Sequence, residues 1–382
     1  MKYPAEFNDI RCFDDEEVAV YLPKLLEEPA IQQILAMFMS AENAQKLVQA
    51  APAMQSVYQF QSTFIIALLN ALITKTSAGV QLQNTEKLEK SKGYLFLTNH
   101  RDIVLDSAFL NAMLLNNGFE TSHIGIGNNL LIKPWIEWAV RLNKSFVVRR
   151  DGGVREQLLI SKHMSAYMRY VLTELNESMW LAQREGRAKD SNDLTAPAII
   201  KMLNMSGEGT FCQKLRALKI APLAINYEFD PCDYLKAKEY QLKRDDAGYK
   251  KQPADDLLNM QTGILGYKGR ISFVVAGELQ VPDAWDELPR TEQAEVAAKA
   301  IDQMIHANYH LYPNNYVAAD LLTQSTEFAS YYTAEDKAKF MAYIDSQLQK
   351  IDIPNRDDAY LCDMMYRMYA NPVLNQQKAL GK

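Results

Sequence analysis

Between residues 94 and 227 the chain alternates short apolar, β-branched runs with longer stretches whose apolar residues recur at helical spacing. That alternation limits the fold more than any other feature. Strand-like runs lie at 94–98, 122–126, 146–150, 179–183 and 220–227, and a further one at 270–277. Helical periodicity occupies 103–116, 133–142, 154–175, 196–204 and 211–217 between them. Parallel strands need long crossovers, usually helices, so this order specifies an α/β fold with a largely parallel central sheet flanked by helices. Helical additions are expected at both ends. Residues 1–78 read as a helical bundle, 79–289 as the α/β core and 290–382 as a C-terminal helical segment. The hydrophilic, lysine-rich stretch 230–262 is expected to be a surface insertion. Thr333 to Asp336 fits a capping box that opens a helix.

Composition sets the outer limits. A chain of 382 residues has room for two or three domains, and 48% hydrophobic residues supply a sizeable core. The net charge of −6 argues against a nucleic-acid partner. Between residues 130 and 190, however, 11 Lys and Arg face 7 Asp and Glu, a surplus of 4 that suits an anionic ligand. Cys12, Cys212, Cys232 and Cys362 are scattered with no CxxC pair, so neither a zinc site nor a disulfide framework is indicated. A reducing, cytoplasmic setting is expected. The first residues contain no apolar signal-peptide core. The longest apolar run, 64–73, has ten residues, short of the roughly 20 a membrane span needs. It is therefore expected to be a core helix and not an anchor, while peripheral membrane contact stays open.

Ligands of open parallel sheets gather at the carboxyl ends of the strands. Four such ends carry polar residues: Asn99-His100, Arg149-Arg150, Arg184-Glu185-Gly186-Arg187 and Asn226-Tyr227-Glu228. A histidine held by a carboxylate can take a proton from a hydroxyl near neutral pH. Asp106 and Asp102 both stand close enough in sequence to hold His100, and aspartate at a helix start is commonly a cap. The arginines offer guanidinium forks for an anion. Gly186 allows close backbone approach. No GxSxG elbow, GxGxxG loop or GxxxxGK[ST] loop occurs. His123, His163, His306 and His310 have no carboxylate or cysteine pattern and are read as structural. Trp135 and Trp138 are read as core.

Taken in order, four blocks resemble the glycerol-3-phosphate and lysophosphatidate acyltransferase superfamily: Asn99-His100 with Asp106, Phe146-Val-Val-Arg149-Arg150, Glu185-Gly186-Arg187, and Ile220-Ala-Pro222-Leu-Ala-Ile225. Five residues separate His100 from Asp106, where that family has four. Arg187 stands one place early because the usual threonine is missing. The resemblance covers about residues 90–280. It implies a fatty acyl transfer from a coenzyme A or acyl-carrier-protein thioester, used as co-substrate with no further cofactor. The acceptor would be a hydroxyl of glycerol 3-phosphate or a lysophospholipid, in phospholipid synthesis. His100 would be the base, oriented by Asp106. Amides at the start of the 103–116 helix would hold the oxyanion. Arg149, Arg150 and Arg187, with Lys189 in reserve, would bind the acceptor phosphate, and Glu185 and Gly186 would shape its pocket. A peripheral place on the inner face of the cytoplasmic membrane would follow. The altered spacing after His100 keeps a second reading alive, a non-catalytic relative that binds lipid or acyl carrier.

Overall fold

The computed structural model describes residues 2–149 and 153–382. Seven strands form one sheet: β1 (Val80–Gln83), β2 (Leu95–Thr98), β3 (His123–Gly127), β4 (Ser145–Val148), β5 (Met179–Ala182), β6 (Ile220–Tyr227) and β7 (Ile271–Val275). Their spatial order is β1-β7-β6-β2-β5-β3-β4. The block from β6 to β4 is parallel throughout. β7 pairs antiparallel with β6, and β1 lies parallel to β7, so these two run against the rest. The expected α/β architecture with a largely parallel sheet is present. β1 was not legible as a strand, because Val80-Gln-Leu-Gln83 is four half-exposed edge residues with little apolar signal.

Central strands are buried on both faces, which is why their sequences read as continuous apolar runs. In β2, Leu95 and Leu97 enter one layer with Tyr167 and Met168 of helix Val154–Arg169 and with Ala297 and Ile301 of helix Arg290–Ala307. Phe96 enters the opposite layer with Phe109 and Leu110 of helix Leu105–Asn116. The alternation follows the two-residue period of a strand.

Packing crosses the segment boundaries read from the sequence. Residues 2–13 leave the N-terminal bundle and run as a strap along the sheet. Tyr3, Phe7, Ile10 and Cys12 are buried in the main core, and the Val147 N–H donates to the Ile10 carbonyl at 2.8 Å. Helix Arg290–Ala307 belongs to that same core, while helices Pro313–Thr323, Ala334–Leu348 and Asp358–Ala379 enclose a separate one. Trp135 and Trp138 are partly buried against the N-terminal helices.

Two expectations change. The apolar run 64–73 is part of a 20-residue helix, Val57–Thr76, long and apolar enough by length and composition to cross a membrane. Here its Phe60, Phe64, Leu69 and Leu72 are buried against the rest of the protein. The stretch 230–262 is a surface insertion only in its middle, where residues 243–248 are exposed. It forms helix Asp233–Asp245 and enters helix Pro253–Leu265, and one face of the first helix buries polar residues that are paired. Lys236 meets Asp230, Glu239 meets Lys189, and Gln241 donates to the Asn355 carbonyl. Hydropathy alone reads such residues as exposed; pairing offsets the desolvation that would otherwise keep them out.

Candidate active site

The end of β2 is pinned before the chain turns. The Asn99 amide donates to the Ile225 carbonyl at 2.8 Å and accepts from the Ile225 N–H at 2.7 Å, tying β2 to β6. His100 follows immediately. Its Nδ1 lies 2.8 Å from Asp106 Oδ2, with 13% of the His100 side chain exposed and none of Asp106. The same carboxylate oxygen accepts the N–H groups of Arg101 at 2.6 Å and Asp102 at 3.1 Å. An Nδ1–H bonded to Asp106 leaves Nε2 as the acceptor nitrogen of the neutral ring. Trp180 presses on the imidazole edge-to-face at 5.7 Å and is itself held by an indole N–H bond to Thr98 Oγ1.

Asp102, the competing carboxylate, has a different task. Its Oδ1 accepts the N–H groups of Val104 at 2.9 Å and Leu105 at 2.8 Å, closing the first turn of helix Leu105–Asn116. Burial, then the charge of Asp106, raises its carboxyl above the ordinary value. Gly263 of helix Pro253–Leu265 approaches so closely that a Cβ there would stand 2.1 Å from Asp102 Oδ2. This arrangement also alters the expected oxyanion donors. The amides of residues 101, 102, 104 and 105 are each bonded to an Asp102 or Asp106 oxygen, so the start of this helix satisfies its own carboxylates first.

The cations separate into three settings. Arg187 joins the His100 turn: its Nη1 donates to the Arg101 carbonyl at 3.4 Å and its Nη2 to Asn259 Oδ1 at 3.1 Å. It follows Glu185, which is exposed, and Gly186, whose φ of +68° is open to glycine at little cost. Lys189 instead pairs with Glu239, which also holds Lys243 at 2.9 Å. Arg149 stands at the end of β4, three strands from β2, roughly 14 Å at the usual interstrand spacing. It lies 3.8 Å from Glu156 and helps line a cavity of about 230 Å³ with Asp9, Ile10 and His163. Arg150 lies outside the described residues.

Residues 79–198 match the family model described as Acyltransferase. That stretch is similar to an acyltransferase domain. The resemblance drawn from the ordered blocks is borne out in that range at the level of an acyltransferase. Among solved structures, the crystal structure of the 1-acyl-sn-glycerophosphate (LPA) acyltransferase, PlsC, from Thermotoga maritima aligns at 11% identity, with a TM-score of 0.36, over 75% of this chain and 94% of that one. No curated protein matches.

Three further residues join the site, two of them without a local signal in the sequence. Arg101 is buried and ion-paired to Asp193 at 2.6 Å, which ties the His100 turn to the loop after β5. Asn259 arrives on a helix read as an exposed insertion. Tyr227, at the end of β6, is buried beside the dyad; burial first, then Asp106 and Asp102, hold its hydroxyl well above the ordinary value and so protonated. Only Tyr227 had a signal in the sequence, as part of a polar strand end.

Proposed function

We propose that this acyltransferase moves a fatty acyl group from a coenzyme A or acyl-carrier-protein thioester to a hydroxyl of glycerol 3-phosphate or a lysophospholipid. The 2.8 Å contact between His100 and Asp106, at the carboxyl end of the parallel strands, carries this reading. His100 Nε2 takes the acceptor's hydroxyl proton as its oxygen attacks the thioester carbonyl. The new C–O bond forms, the C–S bond breaks, and the proton passes to the departing thiolate. Asp106 orients the ring and stabilises the imidazolium formed on the way.

Of the cations expected to bind phosphate, Arg187 is the one bonded to the His100 turn, and it holds the acceptor's phosphate, with Arg149 at the far rim. Ile132, Leu158 and Leu159 are exposed apolar side chains that a membrane surface would cover, which supports a peripheral place on the cytoplasmic membrane's inner face. Purified protein supplied with acyl-CoA or acyl-ACP and either glycerol 3-phosphate or a lysophospholipid tests the reading by mass spectrometry. Formation of the acylated product, lost in His100→Ala, supports it. Tight acceptor binding with no product from any pairing favours the non-catalytic relative. Flotation with anionic vesicles tests the membrane placement.

A further inference from the structure

A second histidine–carboxylate pair stands at the opposite, amino end of the same strands, and it has a cysteine on its other side. His123 opens β3, and Glu177 immediately precedes β5. The His123 Nε2–H donates to Glu177 Oε2 at 2.8 Å. His123 Nδ1 faces Cys12 Sγ at 3.6 Å, on the strap formed by residues 2–13. The Tyr3 hydroxyl lies 3.1 Å from that sulfur, and the Tyr167 hydroxyl lies 3.3 Å from His123 Nδ1. Lys2 sits 2.5 Å and Lys144 3.6 Å from Glu177. Arg11 Nη1 donates to the Cys12 carbonyl. Nucleophile, base and orienting carboxylate therefore stand in the sequence of contacts that activates a thiol.

We infer that Cys12, His123 and Glu177 form a thiol site, separate from the acyl-transfer site, whose cysteine is modified by small hydroperoxides. Hydrogen bonding around the sulfur favours this. The Tyr3 hydroxyl and the His123 ring both have an acceptor in a thiolate, Lys2 and Lys144 flank Glu177, and the carboxylates of Asp14, Asp15, Glu16 and Glu120 line the neighbouring cavity. Against the upward pull of burial, His123, Tyr3 and Lys144 bring the Cys12 thiol below its ordinary value. The other three cysteines go the other way: burial pushes Cys212 up to about 11 and Cys232 to about 12, and raises Cys362 as well. Size selects the reagent. Cys12 has no exposed surface, so an acyl chain or a protein partner has no access. Tyr3, whose hydroxyl lies 3.1 Å from the sulfur, meanwhile lines a cavity of about 360 Å³ with Lys144 and Glu177.

In the reaction, Cys12 Sγ attacks one oxygen of a hydroperoxide. The S–O bond forms and the O–O bond breaks. Sulfur loses two electrons to the peroxide, giving a sulfenic acid, and the departing hydroxide or alkoxide takes the proton from His123.

The test exposes the full chain to hydrogen peroxide at pH 7, stops it with catalase, and denatures it in a 1,3-dione that traps sulfenic acid. Peptide mass spectrometry then reads all four cysteines, each a control for the others. Cys12 is expected to be labelled on the order of tenfold faster than Cys212, Cys232 and Cys362. Glu177→Gln should slow that labelling and shift its pH profile upward, which a packing role alone would not do. Thiolate ultraviolet absorbance at pH 7, present in the native chain and absent in Cys12→Ser, should accompany it. Labelling of Cys12 no faster than that of half-buried Cys362, or a rate unchanged by Glu177→Gln, overturns the inference. Thiolate absorbance without oxidation also overturns it.

Discussion

The two ends of one sheet carry two histidine–carboxylate pairs of the same length, 2.8 Å, and opposite character. At the carboxyl end, His100 is partly open to solvent and meets a carboxylate six residues away. At the amino end, His123 is sealed, and its partners come from residues 12 and 177. Geometry alone does not separate a base for an incoming substrate from a buried charge pair. Exposure and the third partner do: an aspartate gathering backbone N–H groups in one case, a thiol in the other.

The sharpest way to break this comparison is to remove each centre in turn. His100→Ala should lower acyl transfer by about 10²- to 10⁴-fold, the usual worth of a positioned base. Cys12→Ser should leave transfer unchanged when product is read by the same mass-spectrometric assay. Loss of transfer in Cys12→Ser with full activity in His100→Ala would reverse the two assignments.

Next comes Arg187, the phosphate cation bonded to the His100 turn. Arg187→Gln removes charge-assisted bonds worth about 1.5–3 kcal/mol, so the acceptor's KM should rise roughly 10- to 150-fold with a smaller change in kcat. Steady-state kinetics with varied acceptor reads this directly.

The amino-end pair leaves a signature in stability. Cys12 and Glu177 raise His123 despite its burial, so its contribution is complete below about pH 6.5 and is lost as pH rises. Cys12 is lowered, so its contribution is complete above about pH 8.5 and is lost as pH falls. Between those values the two slopes cancel, since folded and unfolded chains each hold one proton on the pair. The stability difference between the native chain and a Cys12→Ser/His123→Asn double variant should therefore be flat from about pH 6.5 to 8.5. It should fall on either side by up to about 1.4 kcal/mol per pH unit. Denaturant titrations across pH measure it. A single slope through the window would mean the pair is not an ion pair.

The smallest effect is expected at Lys189. It is partly exposed and already paired with Glu239, so Lys189→Gln should cost less than about 1 kcal/mol in stability and only a few-fold in acceptor KM. A loss as large as that of Arg187→Gln would place Lys189 on the phosphate beside Arg187.

Much of the carboxyl-end site was legible because it is local. A buried strand that stops at Asn99, a histidine next to it and an aspartate in the following helical turn are all set within eight residues. Asp102 had the mark of a cap, and it is one. Arg187 was legible as a strand-end arginine, but Asn259 was not, because it comes from a helix whose polar surface resembled an exposed insertion. Arg149 was equally visible, yet the sheet order places it three strands from the base.

By itself the sequence determined the alternation of strands and helices, and hence a parallel sheet, because burial on both faces demands continuous apolar runs. It also determined the pairing of His100 with a nearby aspartate, because six residues of turn and helix can bring the two side chains together. Only the tertiary structure decided which charges were buried, since the desolvation of Lys236 or Glu239 is offset by partners distant in the chain. The same holds for Cys12, His123 and Glu177. They are separated by 111 and by 54 residues respectively, and no local period records their meeting.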